Sequence, residues 1–306
     1  MLRQALLFAS RRSGARRLVE TAPVGRDVVR RFVAGETVED AARVTRELTG
    51  DGLLVSLDVL GEDVHDAAQA DATVRRYEAL LERLRSAGLG TRVEVSLKLS
   101  AVGQALGEEI ALRNARRVCL AARAAGTTVT LDMEDHTTVR STLGIVHELR
   151  RDFPDVGAVI QSYLRDAEDY CEDLAYEGSR VRLCKGAYAA PEAVAFTRRA
   201  DIDRSYVRCM KVLLAGDGYP MLATHDPRLI DIGAALAVLH DRDPKTFEYQ
   251  MLYGIRPQEQ RRLAAQGRQV RVYVAFGGEW YGYFMRRLAE KPANLAFFLR
   301  AVATRR

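Results

Sequence analysis

From residue 50 onward one pattern recurs: a short run rich in β-branched and other apolar residues, a polar loop, then apolar positions at helical spacing. The short runs are LLVSLDVL (53–60), RVEVSLKL (92–99), TTVTLDME (127–134), VGAVIQSY (156–163), RVRLCKGA (180–187), YPMLATHD (219–226), FEYQMLYG (247–254) and QVRVYVAF (269–276). Each has the length and composition of a strand. Between them lie helical stretches such as ATVRRYEALLERLRSAG, EEIALRNARRVCLAARAAG and DPRLIDIGAALAVLH. Gly88, Gly126 and Gly267 stand where helix C-termini are expected. Strands alternating with helices predict an α/β fold with a parallel sheet, and eight strands are the number of a (β/α)8 TIM-like barrel. An open, doubly wound sheet is the alternative. It usually carries fewer strands, and to bind a dinucleotide it would need a G-x-G-x-x-G turn, which this sequence lacks. With no composition break after residue 50, the expectation is one domain: an N-terminal helical arm (1–50) followed by the barrel (51–306).

Composition narrows the picture modestly. The 306 residues are 48% hydrophobic and 28% charged, which excludes wholesale disorder. No apolar run approaches the ~20 residues of a bilayer-spanning helix, while peripheral membrane contact stays open. Lys and Arg number 46 against 41 Asp and Glu, a net charge of +5. Acidic residues are mixed in almost everywhere, so nucleic acid is not an expected partner. The four cysteines, Cys119, Cys171, Cys184 and Cys209, share no C-x-x-C spacing and read as reduced thiols of a cytoplasmic protein. The first nineteen residues hold five arginines and no acid. A mitochondrial transit peptide has that composition, but we read a basic amphipathic helix of the mature protein.

Barrel enzymes place their chemistry at the C-terminal ends of the strands. Reading the ends in order gives Asp58 and Glu62, Lys98, Asp132, Gln161, Arg182 and Lys185, Thr224 and His225, Gln250 and Tyr253, and Tyr273. One such residue is an ordinary loop residue; the whole set predicts a polar mouth. In RLCKGAY, Gly186 follows two cations and would let backbone N–H groups approach a ligand closely, or simply make a turn. In THDP, Pro227 opens a helix whose N-terminus suits an anion, and a structural role for His225 is equally compatible. EWYGYFMRRLAEKPAN sets Tyr283 one turn before Arg286 and Arg287, with Glu290 at helical spacing from both. Either the arginines converge on a carboxylate or this is a solvated, salt-bridged face. No metal site is expected: H-E-x-x-H and Cys/His clusters are absent, and MEDH (133–136) reads as a loop. G-x-S-x-G and P-loop motifs are absent too.

SLDVLGE (56–62), SLKLS (96–100), LDMED (131–135), RLCKGAY (182–188), ATHD (223–226), FEYQMLYG (247–254), RVYVAFG (271–277) and YFMRRLAEKPAN (283–294) resemble, in order, the motif series of the proline dehydrogenases. The similarity is greatest to their compact bacterial monofunctional branch. It spans nearly the whole chain, RRFVAGET (30–37) in the arm included. The resemblance implies a distorted barrel holding FAD without a Rossmann fold. It implies oxidation of L-proline to Δ1-pyrroline-5-carboxylate by hydride transfer to FAD, with electrons passed to a membrane quinone. A peripheral membrane position and a downstream pyrroline-5-carboxylate dehydrogenase follow from the same resemblance.

Matched residue by residue, Arg286, Arg287 and Lys98 resemble the clamp on the proline carboxylate. Tyr273, Tyr283 and Leu252 resemble the walls around its ring. Arg182 would sit near the flavin N5, and Gln161, Met133, Lys185, Gly186, Ala187, Tyr188, Thr224 and His225 around the isoalloxazine and its chain. Asp132 matches the family's acid at the third strand end, and with Arg182 is the catalytic candidate. Glu62 resembles a gate paired with Arg286, supported by Glu290. Cys184 departs from the pattern, which has an aliphatic residue there, and adds a thiol beside the flavin. Without the resemblance, the strand-end cations also suit an aldolase-type barrel using Lys98 or Lys185 as a Schiff-base amine, or a non-enzymatic basic binding protein.

Overall fold

The computed structural model describes residues 29–61 and 64–290, without the side chains of 286–290. Eight strands form: β1 (Leu54–Val59), β2 (Val93–Lys98), β3 (Thr128–Asp132), β4 (Gly157–Gln161), β5 (Arg180–Cys184), β6 (Tyr219–Ala223), β7 (Glu248–Leu252) and β8 (Val270–Phe276). They pair in parallel in sequence order, and β8 closes on β1. All eight expected strands are present, each trimmed by one to three residues at one or both ends. β5 stops before Lys185 because Gly186 turns the chain at φ +89°.

Helices follow the strands around the outside: α1 (Val38–Gly50) precedes β1, then come α2 (Ala67–Ser86), α3 (Glu108–Ala124), α4 (Val139–Arg150), α5 (Ala167–Leu174), α6 (Arg199–Ala215), α7 (Pro227–Leu239), α8 (Pro257–Ala265) and α9 (Trp280–Glu290). Thr37 caps α1 through a capping box with Asp40. Gly88, Gly126 and Gly267 do take positive φ just past α2, α3 and α8. No helix among the described residues is long and apolar enough to cross a membrane.

Two apolar clusters hold these layers. The larger joins the outward side chains of the strands, such as Val55, Leu57, Val95, Leu97, Leu131 and Ile160, to the inner faces of the helices. The smaller lies at the barrel mouth. There Val29, Phe32 and Val33 of the arm meet Leu60, Ile255, Trp280, Tyr281, Tyr283 and Phe284. Backbone contacts tie the same region down: Val33 bridges Ala275, the Ala34 N–H donates to Ala275 O at 3.0 Å, and the Gly277 N–H donates to Gly35 O at 2.9 Å. The arm therefore packs on the end of β8, beside the strand ends that carry the polar residues.

The inward positions are unlike those of most barrels, whose interiors are filled by branched aliphatic residues. Here Asp58, Glu94, Lys98, Arg182, Glu248 and Arg271 are all buried, with Ser56, Ser96, Thr130 and Gln250 between them. Asp132 and Arg180 complete four carboxylates and four cations in mutual contact.

Candidate active site

The site is built around Arg182, on β5. Its Nε donates to Gln250 Oε1 at 2.6 Å, and one terminal nitrogen donates to Ser96 Oγ at 2.8 Å and to Asp132 Oδ1. The other donates to Glu94 Oε1 at 2.8 Å and Ser56 Oγ at 3.2 Å. All five N–H groups are thereby met by residues of β1, β2, β3 and β7, which fixes the guanidinium plane across the barrel axis. The Tyr273 ring lies 5.4 Å from its carbon, within cation–π range.

Above this plane Asp132 gathers the next layer. It accepts from Ser96 Oγ and Tyr273 Oη, both at 2.7 Å, and its Oδ2 lies 3.9 Å from Lys98 Nζ. Lys98 donates to both carboxylate oxygens of Asp58 at 2.7 Å. Burial alone would lower the Lys98 pKa, but Asp58 and Asp132 override it and hold the ammonium charged well above its ordinary range. A Schiff-base lysine needs a free amine, so the aldolase alternative loses one of its two candidate nucleophiles. Burial and the neighbouring Asp132 and Asp58 carboxylates likewise push the Tyr273 phenol far up, keeping its proton in place to donate.

Below Arg182 the lattice continues into the barrel floor. Glu94 accepts from Arg180 at 2.7 Å and from Thr130 at 3.0 Å, and Arg271 forks onto Glu248 at 2.7 and 3.0 Å. Burial would raise the Glu94 pKa; Arg271, Arg180 and Arg182 together drive it well below the usual carboxylate range.

The other sequence candidates divide into three groups. Leu252 and Tyr273 pack against the mouth cluster that contains Tyr283, so the three residues expected as ring walls share one end of the barrel. Gln161 donates through Nε2 to Met133 O at 3.2 Å, and the His225 Nε2 accepts the Leu252 N–H at 2.9 Å. Thr224 is buried and its hydroxyl accepts the Asp226 N–H at 3.1 Å. Lys185 pairs with Asp203 at the start of α6 and lies 3.6 Å from Asp226, the residue after His225, which sets it beside the β6 candidates and outside the Arg182 lattice. Ala187 and Tyr188 are exposed. Glu62 and the side chains of Arg286, Arg287 and Glu290 lie outside the described residues.

Three local expectations change. The α7 N-terminus, expected to suit an external anion, is capped by the protein's own Asp226, which accepts the Arg228 N–H at 3.1 Å. Burial pushes the Cys184 thiol up to about 11, so it is a protonated, poorly reactive neighbour at neutral pH. Gly186 is required for a reason inside the protein: at φ +89° an added Cβ would lie 2.3 Å from the Tyr163 ring. Gly186→Ala is therefore expected to cost about 1–3 kcal/mol. In a Tyr163→Leu background that cost should shrink, leaving the backbone part; equal costs in a urea-unfolding double-mutant cycle would rule out the ring as its cause.

Sequence reasoning missed the lower half of the lattice. Glu94, Arg180, Glu248 and Arg271 lie near the strand starts, and the strand-end residue Asp58 has no partner that the sequence reveals. The missed signal is alternation: 94, 96 and 98, then 180, 182 and 184, and 248 and 250 put polar or thiol side chains on one face.

Comparison with known proteins bears on this architecture directly. A family model for proline dehydrogenase matches residues 41–300. Proline dehydrogenase 1 of Bacillus subtilis strain 168 is 36% identical over 302 residues, covering 99% of each chain. Proline dehydrogenase of Deinococcus radiodurans is 40% identical over 281 residues, covering 90% of each. Among solved structures, a mutant proline utilization A from Bradyrhizobium japonicum superposes with a TM-score of 0.72 at 26% identity. It covers 90% of this chain and 32% of that one. Proline utilization A from Bdellovibrio bacteriovorus, inactivated by N-propargylglycine, shares the fold with a TM-score of 0.81 at 24% identity, over 92% of this chain and 34% of its own. This chain thus spans about a third of those two solved chains and nearly all of the Bacillus protein. With its eight-stranded barrel and a match across 41–300, the chain belongs to the proline dehydrogenase family.

Proposed function

We propose that the chain oxidises L-proline to Δ1-pyrroline-5-carboxylate with FAD as hydride acceptor, and that the electrons pass on to a membrane quinone. The observation that carries this reading is the mouth network, in which Lys98, Asp132, Arg182 and Tyr273 are joined beside Leu252 and Tyr283. FAD, when bound, would supply the two-electron acceptor that oxidation of an amine requires. The residues present fit such a group. Gln161 Oε1 and Tyr163 Oη, at the end of β4 and just beyond it, are buried without a hydrogen-bond partner. Buried polar atoms normally find partners, and a heterocycle carrying ring N–H and carbonyl groups would provide them. Met133, Gln161, Arg182, Lys185, Gly186, Ala187, Tyr188, Thr224 and His225 are the residues proposed to hold it.

Proline brings a carboxylate and a secondary ammonium. Lys98 is proposed to share in binding that carboxylate while Asp58 and Asp132 hold its ammonium in place, and Arg286 and Arg287 are proposed as the direct carboxylate partners. Tyr273, Tyr283 and Leu252 are proposed to enclose the ring. Tyr273 suits that role because Asp132 and Arg182 fix its orientation, and a fixed wall positions a substrate and excludes water. Cations around the site favour the neutral amine, the form from which hydride can leave. Glu62 with Arg286 is proposed as the gate over the ring, with Glu290 supporting the arginine. The arm (1–50) and barrel (51–306) would act as one cytoplasmic unit touching the membrane peripherally to reach its quinone. A pyrroline-5-carboxylate dehydrogenase would consume the product.

The test is chemical. L-proline supplied with an artificial electron acceptor should give Δ1-pyrroline-5-carboxylate, trapped as its o-aminobenzaldehyde adduct. Folded, FAD-supplemented protein that forms no adduct would overturn the reading.

A further inference from the structure

Arg256, between the end of β7 and α8, is one of two non-glycine residues with positive φ among the described residues; its angles are φ 53° and ψ 50°. Side-chain-bearing L-residues enter this left-handed region only at a cost, and such positions persist where the surroundings impose them. Pro257 follows, opening α8 and disfavouring the right-handed helical alternative for the residue before it. The Arg256 side chain makes no capping hydrogen bond to α8, so capping does not explain the conformation.

One guanidinium nitrogen lies 3.9 Å from Glu259 on α8, and the other crosses to the neighbouring strand end. A terminal guanidinium nitrogen donates to the carbonyl of His225 at 2.7 Å. The His225 imidazole in turn accepts the Leu252 N–H. The backbone ladder between β6 and β7 reaches Thr224 N–H to Gln250 O at 3.2 Å, and the imidazole then takes the amide two residues further along. On the other side Gln260, buried on α8, donates to Leu252 O at 3.1 Å and to Ile255 O at 2.8 Å. The Leu252 N–H is thus held by a side chain on a loop that Arg256 holds in place, while its carbonyl accepts both Gln260 and the Ile255 N–H at 3.1 Å.

We propose that Arg256 is a positioning residue: from a strained backbone it clamps the His225 loop against the end of β7 and so sets the spacing between His225 and Leu252. The functional part rests on the reading above, in which His225 lies beside the cofactor and Leu252 beside the substrate. The clamp sits beyond the Arg182 lattice and touches neither ligand itself. Its effect is therefore on binding geometry and not on the reacting atoms.

Arg256→Gly tests it, because glycine removes the side chain and relieves the backbone strain together. Amide exchange at Leu252 should speed by roughly tenfold or more, with Leu131 of β3 unchanged, while the thermal midpoint stays at or above that of the parent. The FAD dissociation constant and the proline KM should each rise by roughly three- to tenfold with kcat within about twofold, the split expected of lost positioning. Arg256→Asn, short but tolerant of the left-handed region, should read the same way and stands in if the glycine variant does not fold. Arg256→Lys, which still reaches a carbonyl, should fall within about threefold of the parent. Unchanged Leu252 exchange in Arg256→Gly would overturn the clamp. Faster exchange with unchanged FAD affinity and KM would overturn its role in positioning. Should the parent protein bind no FAD and leave proline untouched, the reading of the site fails, and the exchange result still decides the clamp.

Discussion

Glu94→Leu is expected to lower the unfolding free energy by about 3–5 kcal/mol, because removing one member of a buried ionic lattice leaves its partners as uncompensated buried charges. Glu94 is fully buried and touches three guanidinium groups: Arg180 at 2.7 Å, Arg182 at 2.8 Å and Arg271 at 3.9 Å. Arg182 keeps Asp132 and Arg271 keeps Glu248, while Arg180 is left with the Asp155 carbonyl at 3.4 Å, so the protein should weaken without every cation being stranded. Against a total stability of about 5–15 kcal/mol that loss is large, and the urea midpoint is the quantity to measure. Glu94→Gln keeps the shape and some acceptor capacity and should cost less, about 1.5–3 kcal/mol. The sign with pH is fixed as well. A carboxyl whose folded pKa is depressed contributes fully above its ordinary value of 4.5 and loses that contribution as pH falls below it. The parent should therefore lose stability more steeply below that pH than Glu94→Gln does. Parallel acid profiles would mean the three arginines do not hold Glu94 ionised.

Asp132→Ala is expected to cost kcat/KM roughly a hundredfold to several thousandfold, since three hydrogen bonds to the Asp132 carboxylate disappear and bonds to a charged group are worth about 1.5–3 kcal/mol each. They come from Arg182, Tyr273 and Ser96, and the same change removes the second acid beside Lys98. The tyrosine ring then loses its hydroxyl anchor, and the guanidinium loses one of its five acceptors. Asp132→Asn keeps one oxygen acceptor among the three donors and should be milder, roughly tenfold. Steady-state kinetics on both variants, with circular dichroism to verify folding, decides the matter. A kcat/KM within about threefold of the parent for the alanine variant would remove Asp132 from the catalytic machinery.

How far the sequence leads depends on which physical rule is read. Strand and helix alternation yields all eight strands, because each run is short, β-branched and bounded by turn residues. Reading only the strand ends reaches Lys98, Asp132, Gln161, Arg182 and Tyr273, the upper half of the polar interior. It stops there because strand ends are where barrel chemistry is expected, while the lower interior is expected to be aliphatic. In VEVSLK the residues at 94, 96 and 98 face inward together, yet Glu94 alone looks like a residue near a strand start. Its meaning comes from arginines 86 and 177 positions away, and such pairings are set by barrel closure and by no local pattern. Lys185 shows a related limit: its place in RLCKGAY suggests a mouth cation, while its partners Asp203 and Asp226 come from the two following βα units and are set by barrel closure. Arg256 carries no sequence signal except the proline after it, since its importance lies in a backbone angle.

Whether L-proline gives up its electrons at this barrel mouth is tested most directly by mixing the FAD-loaded protein with L-proline under anaerobic conditions. The visible flavin band should bleach within the turnover time in the parent protein, and much more slowly in Asp132→Ala carrying the same amount of FAD. A band that persists in folded, FAD-loaded protein at saturating L-proline would contradict it.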